Sequence, residues 1–229
     1  MPSSTSDTAR GDIAGRIAAL DSCALSDALD TLGMPGATLG VRPLWDVRRP
    51  VVGRARTIQA GPRRADAPAA HIAAASVDDA GSGEVLVIAN DGRLDVSCWG
   101  GILALSASSR GIEGVVIDGA CRDIGESEDL GFPVFGRAVV PVSARGRIVQ
   151  LAKDEPVQFG GVTVRAHDWV VADRNGTVFV PAEEAERVVA LAERIAAREE
   201  RMAEAVRSGG RVTDVMHDSE FPSADDPAA

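Results

Sequence analysis

The chain has 229 residues, enough for one large domain or at most two small ones. Hydrophobic residues make up 45%, charged residues 25% and aromatics only 3%, with no Tyr, so a globular interior of Ala, Val, Ile and Leu is expected. A formal charge of -10, with arginines single or in pairs such as Arg48-Arg49 and no basic stripe, argues against a nucleic-acid partner.

Residues 1–10 are small and polar and are expected to fray. The opening MPSSTSDTARGD lacks an apolar core and does not read as a signal peptide. A helix is predicted over 12–32 from Ile13, Ile17, Leu20, Leu25, Leu29 and Leu32. It should break near Asp21-Ser22, with Ser22 or Ser26 capping the second piece and Gly33 and Pro35 stopping it. VVGRARTIQA at 51–60 reads as a strand, and the Ala-rich 68–79 as a helix or turn. EVLVIA at 84–89 is a covered strand that Asn90-Asp91-Gly92 should end.

A helix over 100–110 follows, opened by Gly100 and Gly101, then a strand at 115–118, a short helix at 123–130 and a strand at 132–135. From 139 to 180 the pattern becomes short β segments, with Gly160-Gly161 and Asn175-Gly176 as turns. Pro181 opens a long helix with Glu183 and Glu184 in its first turn, running to about Arg207 and halted by Gly209-Gly210. The acidic segment 217–229 should be disordered. The expectation is one α/β domain with mixed strands over 11–210, between a flexible start (1–10) and an acidic tail (211–229).

Many sites are excluded. GxGxxG after a strand, GxxxxGK[ST], HExxH and GxSxG are all absent. The three cysteines, Cys23, Cys98 and Cys121, form no CxxC, which argues against structural zinc and disulfides. His71, His167 and His217 share no ligand spacing, and Cys121, despite its neighbour Arg122, reads as a packing residue. No apolar run approaches a membrane span, so no membrane partner and a cytoplasmic location are expected.

The informative stretch is 97–137. Glycines at a helix start admit a ligand to the backbone, and the amides of Ile102, Leu103 and Ala104 favour an anion such as a carboxylate. The strand 115–118 then delivers Asp118, Arg122 and Asp123 at its carboxyl end, where ligands gather in open α/β sheets. The Arg fork suits a carboxylate or enolate oxygen, and Asp offers a hard ligand for Mg²⁺ or Mn²⁺. The same residues also read as a helix-capping Asp beside a surface Arg, and the local pattern leaves both open.

A Gly, twenty residues, Arg-Asp, two residues and an acid is satisfied by Gly101, Arg122-Asp123 and Glu126. Around it stand WGGILA, GIEGVVIDGACRD and LGFPVFGR, with LSDALDTLG, VVGRARTI and WVVADRNGTVFVP elsewhere. On these phrases the chain resembles the 4-hydroxy-4-methyl-2-oxoglutarate / 4-carboxy-4-hydroxy-2-oxoadipate aldolase family, of RraA-like fold, over about 10–210. The resemblance implies a single RraA-like domain: a central mixed sheet or sandwich flanked by helices, with a long C-terminal helix. It implies that Asp123 binds a divalent metal, Mg²⁺ or Mn²⁺. Arg122 would contact the 2-oxo oxygen of a small 2-oxo acid, and the amides of 102–104 would hold its carboxylate.

Some relatives carry an acid at the position of Gly101, holding a metal-bound water. Asp95 or Asp118 is a candidate substitute here. Many relatives have Pro-Gly-Asp where this chain has Ala166-His167-Asp168, a further departure that allows altered specificity.

Glu199 falls on the apolar stripe of the last helix, four residues after Ile195 and four before Ala203. The resemblance implies that it reaches a metal-bound water in a neighbouring subunit of a homotrimer or homohexamer. A salt bridge to a nearby Arg is the plainer alternative. The implied activity is metal-dependent cleavage of 4-hydroxy-2-oxo acids to pyruvate, with oxaloacetate decarboxylation as a side activity. Lys153, the sole lysine, lies outside the strand-end loop, so no Schiff base is expected. The rival reading is an RraA-like protein regulator of ribonuclease without catalysis; the retained Arg-Asp pair favours the enzyme.

Overall fold

The structure, a computed structural model, describes residues 13–63, 71–216 and 221–223. Its centre is four parallel strands: β3 (Val51–Pro62), β4 (Glu84–Ser97), β5 (Gly114–Cys121) and β6 (Val134–Gly136), adjacent in that order. Helices α3 (Ala74–Asp79), α4 (Gly101–Ser109) and α5 (Ile124–Asp129) are the crossovers between them.

Antiparallel strands extend both edges. β11 (Trp169–Ala172) pairs with β3, β12 (Thr177–Val180) with β11, and β1 (Ala37–Thr38) with β12. β2 (Arg42–Pro43) pairs with β6. β8 (Ile148–Lys153) joins β3 antiparallel beyond a bulge at Gln59/Ala60, whereas β7 (Ala138–Val139) pairs parallel with the end of β5. A hairpin, β9 (Val157–Phe159) with β10 (Val162–Val164), turns on Gly160 and Gly161, both at positive φ. The expected mixed sheet with flanking helices is the architecture found.

The strands alternate with period two, and each face has its own core. Val85, Val87 and Ala89 of β4 and Val116 of β5 face a cluster shared with Phe135, Phe159 and Phe179. Phe159 and Phe179 meet edge to face at 5.1 Å. Leu86, Ile88, Val115 and Ile117 face the opposite way, against Leu103, Ala104 and Ala107 of α4 and against Trp99. Because β5 is buried at every residue, truncating Ile117 to Ala would cost about 2–5 kcal/mol.

A third cluster covers β11 and β12 with helix α1 (13–18), α2 (Ser22–Thr31) and α6 (Ala185–Arg207). The broken N-terminal helix is as expected, but its cap differs. Asp21, rather than Ser22 or Ser26, accepts the Ala24 amide at 2.8 Å. Ser22 instead gives its amide and hydroxyl to Asp173.

Asn90-Asp91-Gly92 does not end β4. Asp91 and Gly92 take positive φ and kink the strand, the register against β5 shifts, and β4 continues to Ser97. Glu183 and Glu184 lie in a 3-10 turn (Ala182–Glu184) ahead of α6. His167 takes φ 70, the left-handed region that glycine favours. The expected disorder at 217–229 falls mostly outside the described residues, as do 1–10 and His217; α7 (Val212–Val215) was not anticipated. Among the described residues no helix is long and apolar enough to cross a membrane.

Candidate functional site

The extension of β4 past its kink sets the site. Ser97 runs beside Ala120, the Cys98 amide donates to Ala120 at 2.8 Å, and the Arg122 amide donates to Trp99 at 3.0 Å. The segment Trp99-Gly100-Gly101 is thereby held against Arg122-Asp123, just where β5 ends and α4 begins. A cleft of about 320 Å³ opens there. Its walls include Trp99, Gly100–Leu103, Arg122, Asp123, His71 and the loop 143–145.

Asp123 organises this corner. Its Oδ2 accepts the Gly101 amide at 3.2 Å and lies 3.1 Å from Arg122 Nε. Its backbone is left-handed, φ 55 and ψ 39, a conformation costing roughly 1 kcal/mol that Asp tolerates better than most residues. Gly100 makes the approach possible, since a Cβ there would stand 2.8 Å from Asp123 Oδ2. At Gly101 a Cβ would stand 1.6 Å from Glu126 Oε2. The Glu126 carboxylate thus occupies the place of a side chain at 101; Glu126 itself is exposed on α5 and is not among the cleft walls.

The anion-binding amides are fewer than expected. The Ala104 amide donates to the Gly100 carbonyl at 3.1 Å, closing the first helical turn. Those of Ile102 and Leu103 have no protein acceptor among the described residues and belong to a helix start, where an anion is favoured.

Asp118 is not in the cleft. Almost wholly buried, it pairs with Arg137 Nε through one oxygen and accepts the Gly160 amide at 3.0 Å through the other, tying β5 to the hairpin. Asp95 is also elsewhere, exposed and paired twice with Arg93, which holds its carboxyl below the usual range. Glu199 does not reach the cleft of its own chain. It lies exposed on α6, which packs on α2, and partial burial with the charges of Asp21 and Asp27 pushes its carboxyl up.

Cys121 packs as expected, its thiol pushed up to about 12 by burial. His71 and Arg145 are cleft residues that sequence reasoning missed. His71 precedes Ile72 at the cleft wall, and Arg145 arrives on a loop pinned by two bonds from Ser97 to the Val142 carbonyl. A larger hollow of about 650 Å³ lies near Arg54 and Trp169. Its guanidinium already sits 3.7 Å over the indole and donates to the His167 carbonyl, and the hollow lacks the Arg-Asp corner.

The chemistry of the donor set bears on a metal. Among the described residues no group of three or more His, Cys, Asp or Glu could enclose an ion. Asp123 offers one carboxylate, of which Oδ2 is engaged and Oδ1 is not. A single carboxylate, with water and substrate oxygens completing the shell, fits Mg²⁺ or Mn²⁺ and does not fit structural zinc.

The RraA-like family, described as Aldolase/RraA, matches residues 22–179. The chain belongs to the RraA-like family. Protein DlpA of Legionella pneumophila is 33% identical over 198 residues, 86% of this chain and 32% of DlpA, so the chain spans about a third of that relative's length. A Halalkalibacterium halodurans protein named "Putative 4-hydroxy-4-methyl-2-oxoglutarate aldolase" is 34% identical over 179 residues, 77% of this chain and 80% of that protein. Among solved structures, Streptomyces coelicolor RraAS2, described as an unusual member of the RNase ES inhibitor RraA protein family, matches with a TM-score of 0.75 at 30% identity. It covers 86% of this chain and 96% of RraAS2. The span matched to the RraA-like family contains every cleft residue named above, whereas Glu199 lies beyond it.

Proposed function

We propose that the protein is a divalent-metal-dependent aldolase that cleaves 4-hydroxy-2-oxo acids to pyruvate and a carbonyl product. The observation that carries this reading is the convergence of Arg122, Asp123 and the free amides of Ile102 and Leu103 on one cleft. The aldolase name of a relative 34% identical supports it.

The carboxylate of a 2-oxo acid docks on the Ile102 and Leu103 amides, where the helix start favours negative charge. Asp123 holds the metal, Mg²⁺ or Mn²⁺, whose contribution when bound is Lewis-acid polarisation of the substrate's oxygens. Arg122, held by its neighbour Asp123 through Nε, presents its terminal nitrogens to the 2-oxo oxygen and stabilises the charge that grows there as the C3–C4 bond breaks. The proton on the C4 hydroxyl leaves to a base, for which a water is the candidate, and a proton is returned to C3 of the resulting enolate to give pyruvate. Oxaloacetate decarboxylation develops charge on the same oxygen and is expected as a side activity.

Glu199 enters this reading only through assembly. A neighbouring copy would bring its α6 to the cleft, and a homotrimer or a homohexamer is the proposed state. Purified protein with Mg²⁺ should release pyruvate from such substrates, and EDTA should abolish the release until metal is restored. A metal-independent rate would refute the mechanism.

One observation favours a second reading, a regulator of ribonuclease activity: the likeness to RraAS2, together with a net charge of -10 that could mimic RNA. Capture of a ribonuclease from solution with no pyruvate release from any 2-oxo acid would select it.

A further inference from the structure

We infer that the imidazole of His71 is the base that takes the proton from the substrate's C4 hydroxyl. The inference rests on the aldolase reading for its reaction, and it names a side chain of this protein where that reading has a water.

The size of the cleft sets where C4 lies. A three-carbon 2-oxo acid has six heavy atoms and fills on the order of 100 Å³, scaled from the volume of water. The cleft measures about 320 Å³, so with the 2-oxo acid on Arg122 and the start of α4, C4 and its hydroxyl extend toward the remaining walls. Those walls include His71, Ser143, Ala144 and Arg145.

Few side chains of the described lining can accept a proton. Arg122 and Arg145 are cations with no lone pair to offer. The Cys98 thiol is pushed up to about 12 by burial and keeps its proton. The Ser97 hydroxyl donates to the Val142 carbonyl at 2.7 Å, and Ser143 Oγ already accepts the Arg145 amide at 3.1 Å. Asp123 Oδ2 is engaged by the Gly101 amide and Arg122, and on the aldolase reading the same carboxylate holds the metal. His71 is what remains.

The ring is set for the task. His71 Nδ1 stands 2.8 Å from the Ile72 carbonyl. A carbonyl only accepts, so Nδ1 carries the proton and Nε2 presents a lone pair. Among the described residues Nε2 has no partner. The backbone behind the ring is fixed. Ile72 is buried in the core cluster that holds Trp99 and Leu103, and the Ala73 amide donates to Gln150 Oε1 at 3.1 Å. Ala73 takes φ 64, a left-handed conformation that Ala rarely adopts, and its carbonyl accepts the Val77 amide at 2.9 Å to open α3. His71 is itself exposed, as a base that returns its proton to solvent must be.

The step balances. The C4 hydroxyl proton passes to Nε2, and the O–H electron pair becomes the second bond of the new carbonyl. The C3–C4 bond breaks, and its pair moves into the enolate whose oxygen Arg122 holds. The imidazolium gives its proton to solvent, and C3 takes one from solvent, so the protein ends as it began.

Oxaloacetate decarboxylation provides the test, because it reaches the same enolate with no C4 hydroxyl to deprotonate. With Mg²⁺ present, His71→Gln in the full chain should slow pyruvate release from 4-hydroxy-2-oxopentanoate by about 100-fold and leave oxaloacetate decarboxylation within about threefold of wild type. Calorimetric titration with pyruvate and Mg²⁺ should give the variant the wild-type affinity. Added imidazole should return about tenfold of the lost cleavage rate to His71→Ala. Equal losses in the two reactions, cleavage at the wild-type rate in His71→Gln, or no response of His71→Ala to imidazole would overturn the inference and leave the aldolase standing. A wild type that releases no pyruvate from either acid would instead remove the aldolase reading, and the role of His71 with it.

Discussion

Arg122 Nε lies 3.1 Å from Asp123 Oδ2, on the oxygen that also accepts the Gly101 amide. One carboxylate oxygen therefore holds both the guanidinium and the helix start that line the cleft. On the aldolase reading the pair works as a unit, so Arg122→Ala and Asp123→Ala should each lower kcat for pyruvate release by about 100-fold or more. The double variant should be little worse than either single one. Near-normal rates in both single variants would remove this corner from the chemistry.

The two glycines before α4 should respond differently. A methyl at position 100 meets Asp123 Oδ2 at 2.8 Å and Arg122 Nε at 3.3 Å, so Gly100→Ala should pull the pair apart and cost activity at least about tenfold with little change in stability. A methyl at position 101 meets Glu126 instead. Gly101→Ala displaces the flexible end of the exposed Glu126 side chain, so it should lower the urea midpoint by the equivalent of less than about 1 kcal/mol, and Glu126→Ala should rescue most of that loss. Additive effects in the double variant would show that the two positions do not share this space.

Much of this was legible because local chemistry decides it. The alternation through Val85–Ala89 and Val115–Ile117 fixes which side chains face which core. Gly100-Gly101 stands just ahead of the apolar residues of α4, and Arg122-Asp123 directly follows the apolar run of β5, so both positions follow from their immediate neighbours. What failed depends on distant partners. Asn90-Asp91-Gly92 carries turn chemistry that serves a kink as well as a stop, and only pairing with β5 keeps the strand going. Asp118 reads as a ligand until Arg137 and the Gly160 amide, 19 and 42 residues on, claim both its oxygens. His71 and Arg145 are ordinary loop residues until the fold brings them beside Arg122.

That claim on Asp118 yields a contrast with Asp123. Removing one partner of a largely buried pair strands the other, so Asp118→Ala should cost about 3 kcal/mol in urea unfolding. Its kcat, measured where the variant is still folded, should stay within about threefold of wild type, since Asp118 contributes nothing to the cleft walls. Loss of activity without loss of stability would mean that Asp118 is a ligand after all.

Glu199 should show the opposite balance. Partial burial and the charges of Asp21 and Asp27 raise its pKa in the folded chain. The protonated form is thus the one that suits the fold. Its stabilising contribution is complete below the unfolded pKa and is lost as pH rises through the folded value. At neutral pH the charged carboxylate is a burden, and Glu199→Gln should melt at a higher temperature than wild type. The gap should close as pH falls below the ordinary carboxylate range, where Glu199 is protonated in the folded and the unfolded chain alike. If a neighbouring copy brings this carboxylate to the cleft, the stabilised variant should also release pyruvate about tenfold more slowly, the scale of losing a group that orients a metal's bound water. A variant that is both more stable and fully active would mark Glu199 as a bystander on α6, while one that is more stable and slower would show a carboxylate kept at the expense of the fold.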